Sequence, residues 1–151
     1  MAELTATGRW ELEVVLTDYN GQTYTALYSD FSVGDSSTNY MLSLSGYNAA
    51  RSTLADSLIV IGDLDWANLN GMAFSTMDSD HDNSCSNNHG GAGWWFNACY
   101  RALLTGANYN NMTSNDWNGI VWPTDPAILP AGEFGSWPAA EMIIRKKVPR
   151  A

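Results

Sequence analysis

The chain has 151 residues, 45% of them hydrophobic, with seven Trp and seven Tyr, enough to enclose one core without a second domain. Seven Lys and Arg stand against sixteen Asp and Glu, for a formal net charge of −9. That balance argues against nucleic acid, whose phosphates demand a basic face, and against an anionic membrane surface. No apolar run reaches the length of a membrane-spanning helix.

In chain order, Met1 to Thr7 lacks the charged and apolar regions of a signal peptide. Glu11–Leu16 alternates in hydrophobicity, and the Asn20–Gly21 turn predicts a hairpin into Thr23–Tyr28. Tyr40–Leu44 reads as a third strand. Leu64–Leu69 and Asn97–Leu104 read as short helices. Pro123, Pro126, Pro130 and Pro138 keep the stretch they punctuate irregular. Met142–Val148 reads as a closing strand with Met142, Ile144 and Lys146 on one face. From Leu64 to Trp137 most of the sequence reads as loop, and so much loop needs external fixing. Four of the seven cations, Arg145, Lys146, Lys147 and Arg150, fall in the final strand and tail. They read as a frayed solubilising end or as a contact for an acidic partner.

The richest stretch is Asp78-Ser-Asp-His-Asp-Asn-Ser-Cys85. In an extended or looped backbone, alternate side chains point the same way, so Asp78, Asp80 and Asp82 converge and repel. Either the segment is a solvated acidic turn or a hard cation relieves the repulsion, and calcium suits an irregular loop completed by backbone carbonyls. It is not an EF-hand: Asn83 stands where the glycine belongs and His89 where the bidentate Glu belongs. Cys85 and Cys99, the only cysteines, enclose a Gly-rich Trp-Trp segment. They either form a disulfide, worth roughly 3 kcal/mol of unfolded-state entropy, or remain buried thiols. No zinc or CxxC spacing is present. Asn111-Met-Thr113 is a glycosylation sequon suited to a secreted setting.

Phe74-Ser-Thr-Met-Asp-Ser-Asp-His-Asp82, Cys85 and Gly93-Trp-Trp-Phe-Asn-Ala-Cys99 together closely resemble the core of a fibrinogen-related domain, the globular module of fibrinogens, ficolins, tachylectins and angiopoietins. The likeness extends from Leu4-Thr, Gly8-Arg9 and Glu11–Gly21, through Tyr24–Tyr28, Phe31–Val33 and Gly46-Tyr-Asn48, to Asn118-Gly-Ile-Val-Trp122 and Glu141–Arg145. It covers nearly the whole of residues 1–151, but only about the last two-thirds of the usual module; the family's N-terminal subdomain and its Gly-Gly-Trp strand are not matched. The resemblance implies an α+β, β-rich and loop-heavy fold with a small antiparallel sheet and short helices. It also implies a secreted, extracellular protein in which Cys85 is bonded to Cys99.

The same resemblance implies a calcium ion on Asp80, Asp82 and the Ser84 carbonyl, with Asp78 orienting the loop. It implies a ligand hollow beside that site, bounded by Ala98, Cys99, Tyr100, Asp116 and Trp117, where a cis Ala98–Cys99 peptide presents backbone N–H groups to an acceptor. This sequence departs from the family in four places. The His that usually follows the second cysteine is Tyr100. The family's Asn-Leu-Asn-Gly is Leu103-Leu-Thr-Gly106. The Tyr found in acetyl-binding members is Asp116. The loop from Asp82 to Cys85 is also shorter. Larger side chains in a pocket cost about 1–3 kcal/mol, so simple acetylated sugars are expected to bind poorly.

Trp94 and Trp95 read as core and pocket floor, and His81 and His89 as solvated loop residues. Asp116, Asp125 and Glu133 are scattered acids with nothing to pair them as glycosidase carboxylates. No Ser-His-Asp order or Gly-x-Ser-x-Gly elbow is present, so the protein is not expected to be an enzyme. The leading expectation is a calcium-dependent, lectin-like recognition module of innate-immune type, binding small acylated or anionic groups on glycans. The alternative is a protein-binding module, for receptors or self-assembly, without sugar binding; a structural remnant with neither activity is the third. Partners are thus a glycan or a protein ligand, with no nucleic acid and no membrane insertion. Any oligomerisation is expected to run through a missing upstream region.

Overall fold

Asp18 is the pivot of the first hairpin. It is buried, and its Oδ1 accepts the N–H groups of Asn20 at 2.8 Å and Gln22 at 2.9 Å. The turn then closes through Gly21, whose φ of +81° suits a residue without a Cβ. The computed structural model in which this is seen describes residues 1–82, 84–109, 117–125, 127–129 and 135–149. The hairpin joins β1 (Trp10–Thr17) to β2 (Thr23–Val33), with Leu12 opposite Tyr28 and Val14 opposite Ala26. β3 (Leu42–Tyr47) and β4 (Ala139–Lys146) complete an antiparallel sheet in the order β3-β2-β1-β4.

Alternation decides the sheet's faces. Leu12, Val14 and Leu16 are fully buried, while Glu11, Glu13 and Val15 face outward. β2 runs past the predicted end at Tyr28, because β3 takes over its pairing as far as Val33 opposite Leu42. Its buried phase shifts there from Ala26 and Tyr28 to Phe31 and Val33. The third strand starts later than predicted. Asn39 and Tyr40 take left-handed φ values of 54° and 56° and form a turn, so pairing begins at Leu42. The closing strand begins earlier, at Ala139, and ends at Lys146. Tyr28 donates its hydroxyl to Asp56 Oδ1 at 2.7 Å, and the same oxygen accepts the N–H groups of Leu58 and Ile59. Burial, reinforced by the Asp56 charge, pushes the phenol's pKa well up and keeps it a donor.

The other half of the molecule has little regular structure. It holds α1 (Ala2–Thr5), α2 (Cys85–Asn88) and short 3-10 turns at Ser36–Thr38 and Gly62–Ala67. The last lies near the helix expected over Leu64–Leu69. No helix forms over Asn97–Leu104. That stretch contains a cis Ala98–Cys99 peptide, and Leu103 is bridged to Val121 across the fold. Trp94, Trp122, Trp137 and Phe96 fill the interior, and each of the three indoles donates to a carbonyl, of Ala102, Ala55 and Trp122 respectively. Cys85 and Cys99 are bonded, as expected, across a separation of 14 residues.

Two outcomes follow from this packing. Intact protein under non-reducing conditions should be lighter by the pair of hydrogens lost in one disulfide, and reduction should remove roughly 3 kcal/mol of stability, measured by denaturant unfolding. Tyr28→Phe should cost about 1.5–3 kcal/mol, the range for a hydrogen bond to a charged group, with the fold retained by circular dichroism.

Candidate functional site

The acidic loop hangs from a short antiparallel bridge, in which Ser75 and Trp94 exchange N–H···O bonds of 2.9 and 3.1 Å. Ser75 Oγ accepts the His81 N–H at 3.0 Å, pinning the far side of the loop. The three carboxylates do not simply converge; each is turned toward local donors. Asp78 accepts the Thr76 hydroxyl at 2.7 Å, which holds its carboxyl below the usual range. Asp80 accepts the Asp82 N–H on one oxygen and the Ser84 N–H on the other, both at 2.9 Å. Those backbone donors lower its pKa as well.

Asp82 differs. One oxygen accepts the Cys85 N–H at 2.8 Å, but Oδ2 is buried with no hydrogen-bond partner among the described residues, in a residue only 5% exposed. Burial pushes its carboxyl up, and the neighbouring Asp80 charge adds to the rise. Ser84 sits at φ 71°, and its carbonyl accepts the Asn88 N–H at 3.0 Å, leaving one lone pair. Among the described residues, no group of three or more His, Cys, Asp or Glu side chains is placed to hold a metal ion. Asn83, between Asp82 and Ser84, lies outside the described residues.

The second cysteine is reached through Trp94-Trp95-Phe96, all buried, as expected of core and floor. Trp95 donates its indole N–H to the Tyr40 carbonyl at 2.8 Å. Asn97 then ties this segment to the Gly62–Ala67 turn, its amide donating to the carbonyls of Asp65 at 3.1 Å and Asn68 at 3.0 Å. The Ala98 N–H is taken by the Trp66 carbonyl at 3.0 Å, so it is not presented to a ligand. Ala98 itself is exposed and Cys99 half-buried. Tyr100 is 2% exposed, and its hydroxyl bonds to the Trp117 carbonyl. The phenol therefore fills the hollow from within.

Trp117 stands 42% exposed with its ring 6.1 Å from that of Tyr100. Asp116 and the sequon residue Asn111 lie outside the described residues. The structure thus brings Ala98, Cys99, Tyr100 and Trp117 together. His81 is exposed as expected, but His89 is not a solvated loop residue. Its Nδ1 lies 3.1 Å from the Trp117 carbonyl, and its ring meets Tyr100 edge-on at 4.8 Å.

Two residues beside Ala98 escape sequence reasoning. Trp66, 45% exposed, stands beside Ala98 through the carbonyl bond just described. Asn97 is the clamp that places it. Neither carries a local signal, because the contact joins segments about thirty residues apart.

Comparison with known proteins agrees with this geometry. The family profile for the globular C-terminal domain of fibrinogen beta and gamma chains matches residues 1–147. Human fibrinogen-like protein 1 is 37% identical over 129 residues, covering 80% of this chain and 40% of that protein. Human fibroleukin is 35% identical over 151 residues, 95% of this chain and 33% of that protein. The chain therefore spans well under half the length of these relatives. Among solved structures, the fibrinogen-like globe domain of human ANGPTL6 superposes with a TM-score of 0.77 at 30% identity, over 98% of this chain and 61% of that one. Lamprey fibrin D-dimer complexed with the peptide Gly-His-Arg-Pro-amide gives 0.79 at 24% identity, over 95% and 47%, a likeness of fold alone. With its profile, its relatives and its fold in agreement, the chain belongs to the family of fibrinogen C-terminal globular domains.

Proposed function

We propose that this protein is a non-enzymatic, secreted protein-binding module that takes an extended peptide segment on the ledge formed by Trp66, Ala98 and Trp117. The observation that carries the reading is that two exposed tryptophans adjoin the segment clamped by Asn97, Trp66 through its carbonyl bond to the Ala98 N–H and Trp117 through its ring beside Tyr100. Rigid, exposed aromatics are the side chains that anchor protein interfaces. Its relatives, fibrinogen-like protein 1 and fibroleukin, support a module of this family. A disulfide suits an oxidising, extracellular compartment, and no described helix is long and apolar enough to cross a membrane.

The lectin-like reading has less behind it. Of the backbone donors that flank the cis peptide, Ala98 has given its N–H to the Trp66 carbonyl, and the phenol of Tyr100, where the family usually carries His, is buried against Trp117. Titration of N-acetylglucosamine followed by tryptophan fluorescence should give no saturable response below about millimolar concentration. Peptides selected from a random library on the immobilised protein should bind, and Trp66→Ala or Trp117→Ala should weaken them about tenfold or more. Sub-millimolar, calcium-dependent sugar binding would restore the lectin reading instead.

We also propose that Asp80, Asp82 and the Ser84 carbonyl hold a calcium ion. The residues fit it, because Asp82 Oδ2 is a buried carboxyl oxygen lacking a partner among the described residues, the kind of group a cation satisfies. Bound there, calcium would neutralise two adjacent carboxylates and fix the loop that carries Cys85. Affinity should be weak, on the order of 10⁻⁴–10⁻³ M, as in extracellular modules. The melting temperature should rise in millimolar calcium relative to chelator. Asp82→Asn should remove that rise and, in chelator, melt no lower than wild type, since burial already disfavours the charged form. Identical melting of wild type in both conditions would refute the site.

A further inference from the structure

The sequence holds three Asn-Gly pairs, at Asn20–Gly21, Asn70–Gly71 and Asn118–Gly119. In such a pair no Cβ shields the backbone nitrogen that follows the asparagine, so that nitrogen can reach the asparagine's side-chain carbon. The fold treats the three pairs very differently. Asn70 Oδ1 accepts the Leu44 N–H at 2.8 Å, and the Gly71 N–H is held by the Leu42 carbonyl at 2.8 Å. Both reacting groups are thus pinned to β3. Asn118 is half-buried, and its carbonyl accepts the Ala107 N–H at 2.7 Å. Gly119 is buried, and a Cβ on Gly106 would fall on its carbonyl oxygen, so the peptide there has no room to rotate. Asn20 stands apart. It is exposed at the hairpin tip, and its side-chain amide has no hydrogen-bond partner among the described residues. Gly21 is exposed too, and a Cβ there would meet nothing within 4 Å. Its N–H makes one bond among the described residues, at 3.1 Å to the Asp18 carbonyl. Opening that exposed bond is a local event and frees the nitrogen.

We propose that Asn20 is a site of spontaneous deamidation, and that its isoaspartate product loosens the first hairpin. The Gly21 nitrogen loses its proton to base and bonds to Asn20 Cγ, and the side-chain nitrogen leaves as ammonia. Water then opens the cyclic imide. Cleavage of the new Cγ–N bond gives ordinary aspartate. Cleavage of the original C–N bond gives isoaspartate, with the main chain running through Cγ. Amide and water become acid and ammonia, with no oxidant or cofactor. The two products differ in effect because of Asp18. Its buried carboxylate accepts the N–H groups of residues 20 and 22 on one oxygen, at 2.8 and 2.9 Å, and its own N–H donates to the Gln22 carbonyl at 2.9 Å. Aspartate at position 20 keeps that backbone. Isoaspartate inserts an extra main-chain carbon between the two donors, so they no longer converge on one oxygen. A buried acceptor then loses a donor, at the turn that joins β1 to β2 in the middle of the sheet.

Whole protein kept for days in mildly alkaline buffer, then digested and mapped by mass spectrometry, should show the amide-to-acid mass gain at Asn20 before Asn70 or Asn118 changes. Protein isoaspartyl methyltransferase should label the same peptide. Asn20→Gln, with its side chain in solvent, should fold normally by circular dichroism and leave that peptide unlabelled. The isoaspartate fraction, separated by ion exchange, should melt below fresh protein, whereas freshly prepared Asn20→Asp should melt with it. Asn20 remaining an amide throughout, or converting after Asn70 or Asn118, would overturn the proposal. So would an isoaspartate fraction that melts with fresh protein.

Discussion

Burying a tryptophan-rich loop region against a four-stranded sheet imposes one demand on this molecule, that every indole N–H in the interior finds a carbonyl. An unpaired donor there would cost about 1–3 kcal/mol. The carbonyls used come from loops: Ala102 for Trp94, Ala55 for Trp122, Tyr40 for Trp95, and Trp122 itself for Trp137. Each bond fixes a loop at a point where no helix or strand would. The irregular half is therefore ordered by a few directional contacts driven home by aromatic burial, with the disulfide closing the segment between Cys85 and Cys99. The Ala98–Cys99 segment inherits its position from this arrangement, because Trp94, Trp95 and Phe96 lead directly into it.

What the sequence discloses depends on how far apart the causes lie. β1 was legible because alternation from Glu11 to Leu16 and the Asn20–Gly21 turn are local. The end of β2 was not, since its extension to Val33 depends on pairing with β3. Tyr40 looked like a strand residue by composition, yet it stands in a left-handed turn held by its own N–H on the Asp35 carbonyl and by the Phe74 N–H and the Trp95 indole, which donate to the carbonyls of Asn39 and Tyr40. Asn97–Leu104 has helix-compatible residues, but its N–H and C=O groups go to distant partners such as Trp66 and Val121. The family motif supplied the site's cysteines, its Trp-Trp floor and its cis peptide. It did not supply Trp66 or the engagement of His89, which arise from contacts between remote segments.

The acidic loop shows the same division between spacing and environment. Alternating Asp residues suggested three equivalent charges. The fold makes them unequal, by giving Asp78 a hydroxyl, Asp80 two backbone N–H groups and Asp82, among the described residues, one donor for two oxygens. Hydrogen bonds to the charged form stabilise it, while desolvation opposes it. The pKa of Asp80 therefore falls and that of Asp82 rises, although they lie two residues apart. The unmatched Asp82 Oδ2 is therefore the most specific thing this loop says about a cation, more than the count of carboxylates in it.

The two ends of the sheet face opposite physical situations. On the β3 side, loop residues saturate the backbone: Thr53 and Leu54 donate to the Thr25 carbonyl, Asn48 donates to that of Leu27, and the hydroxyls of Thr53 and Ser52 accept the N–H groups of Thr25 and Leu27. These loop residues thus extend the ladder past the point where β3 stops pairing. On the β4 side no segment among the described residues plays that part, and the outward groups of Ala140, Met142, Ile144 and Lys146 stand unmatched. Water can satisfy these groups, so the fold tolerates the edge.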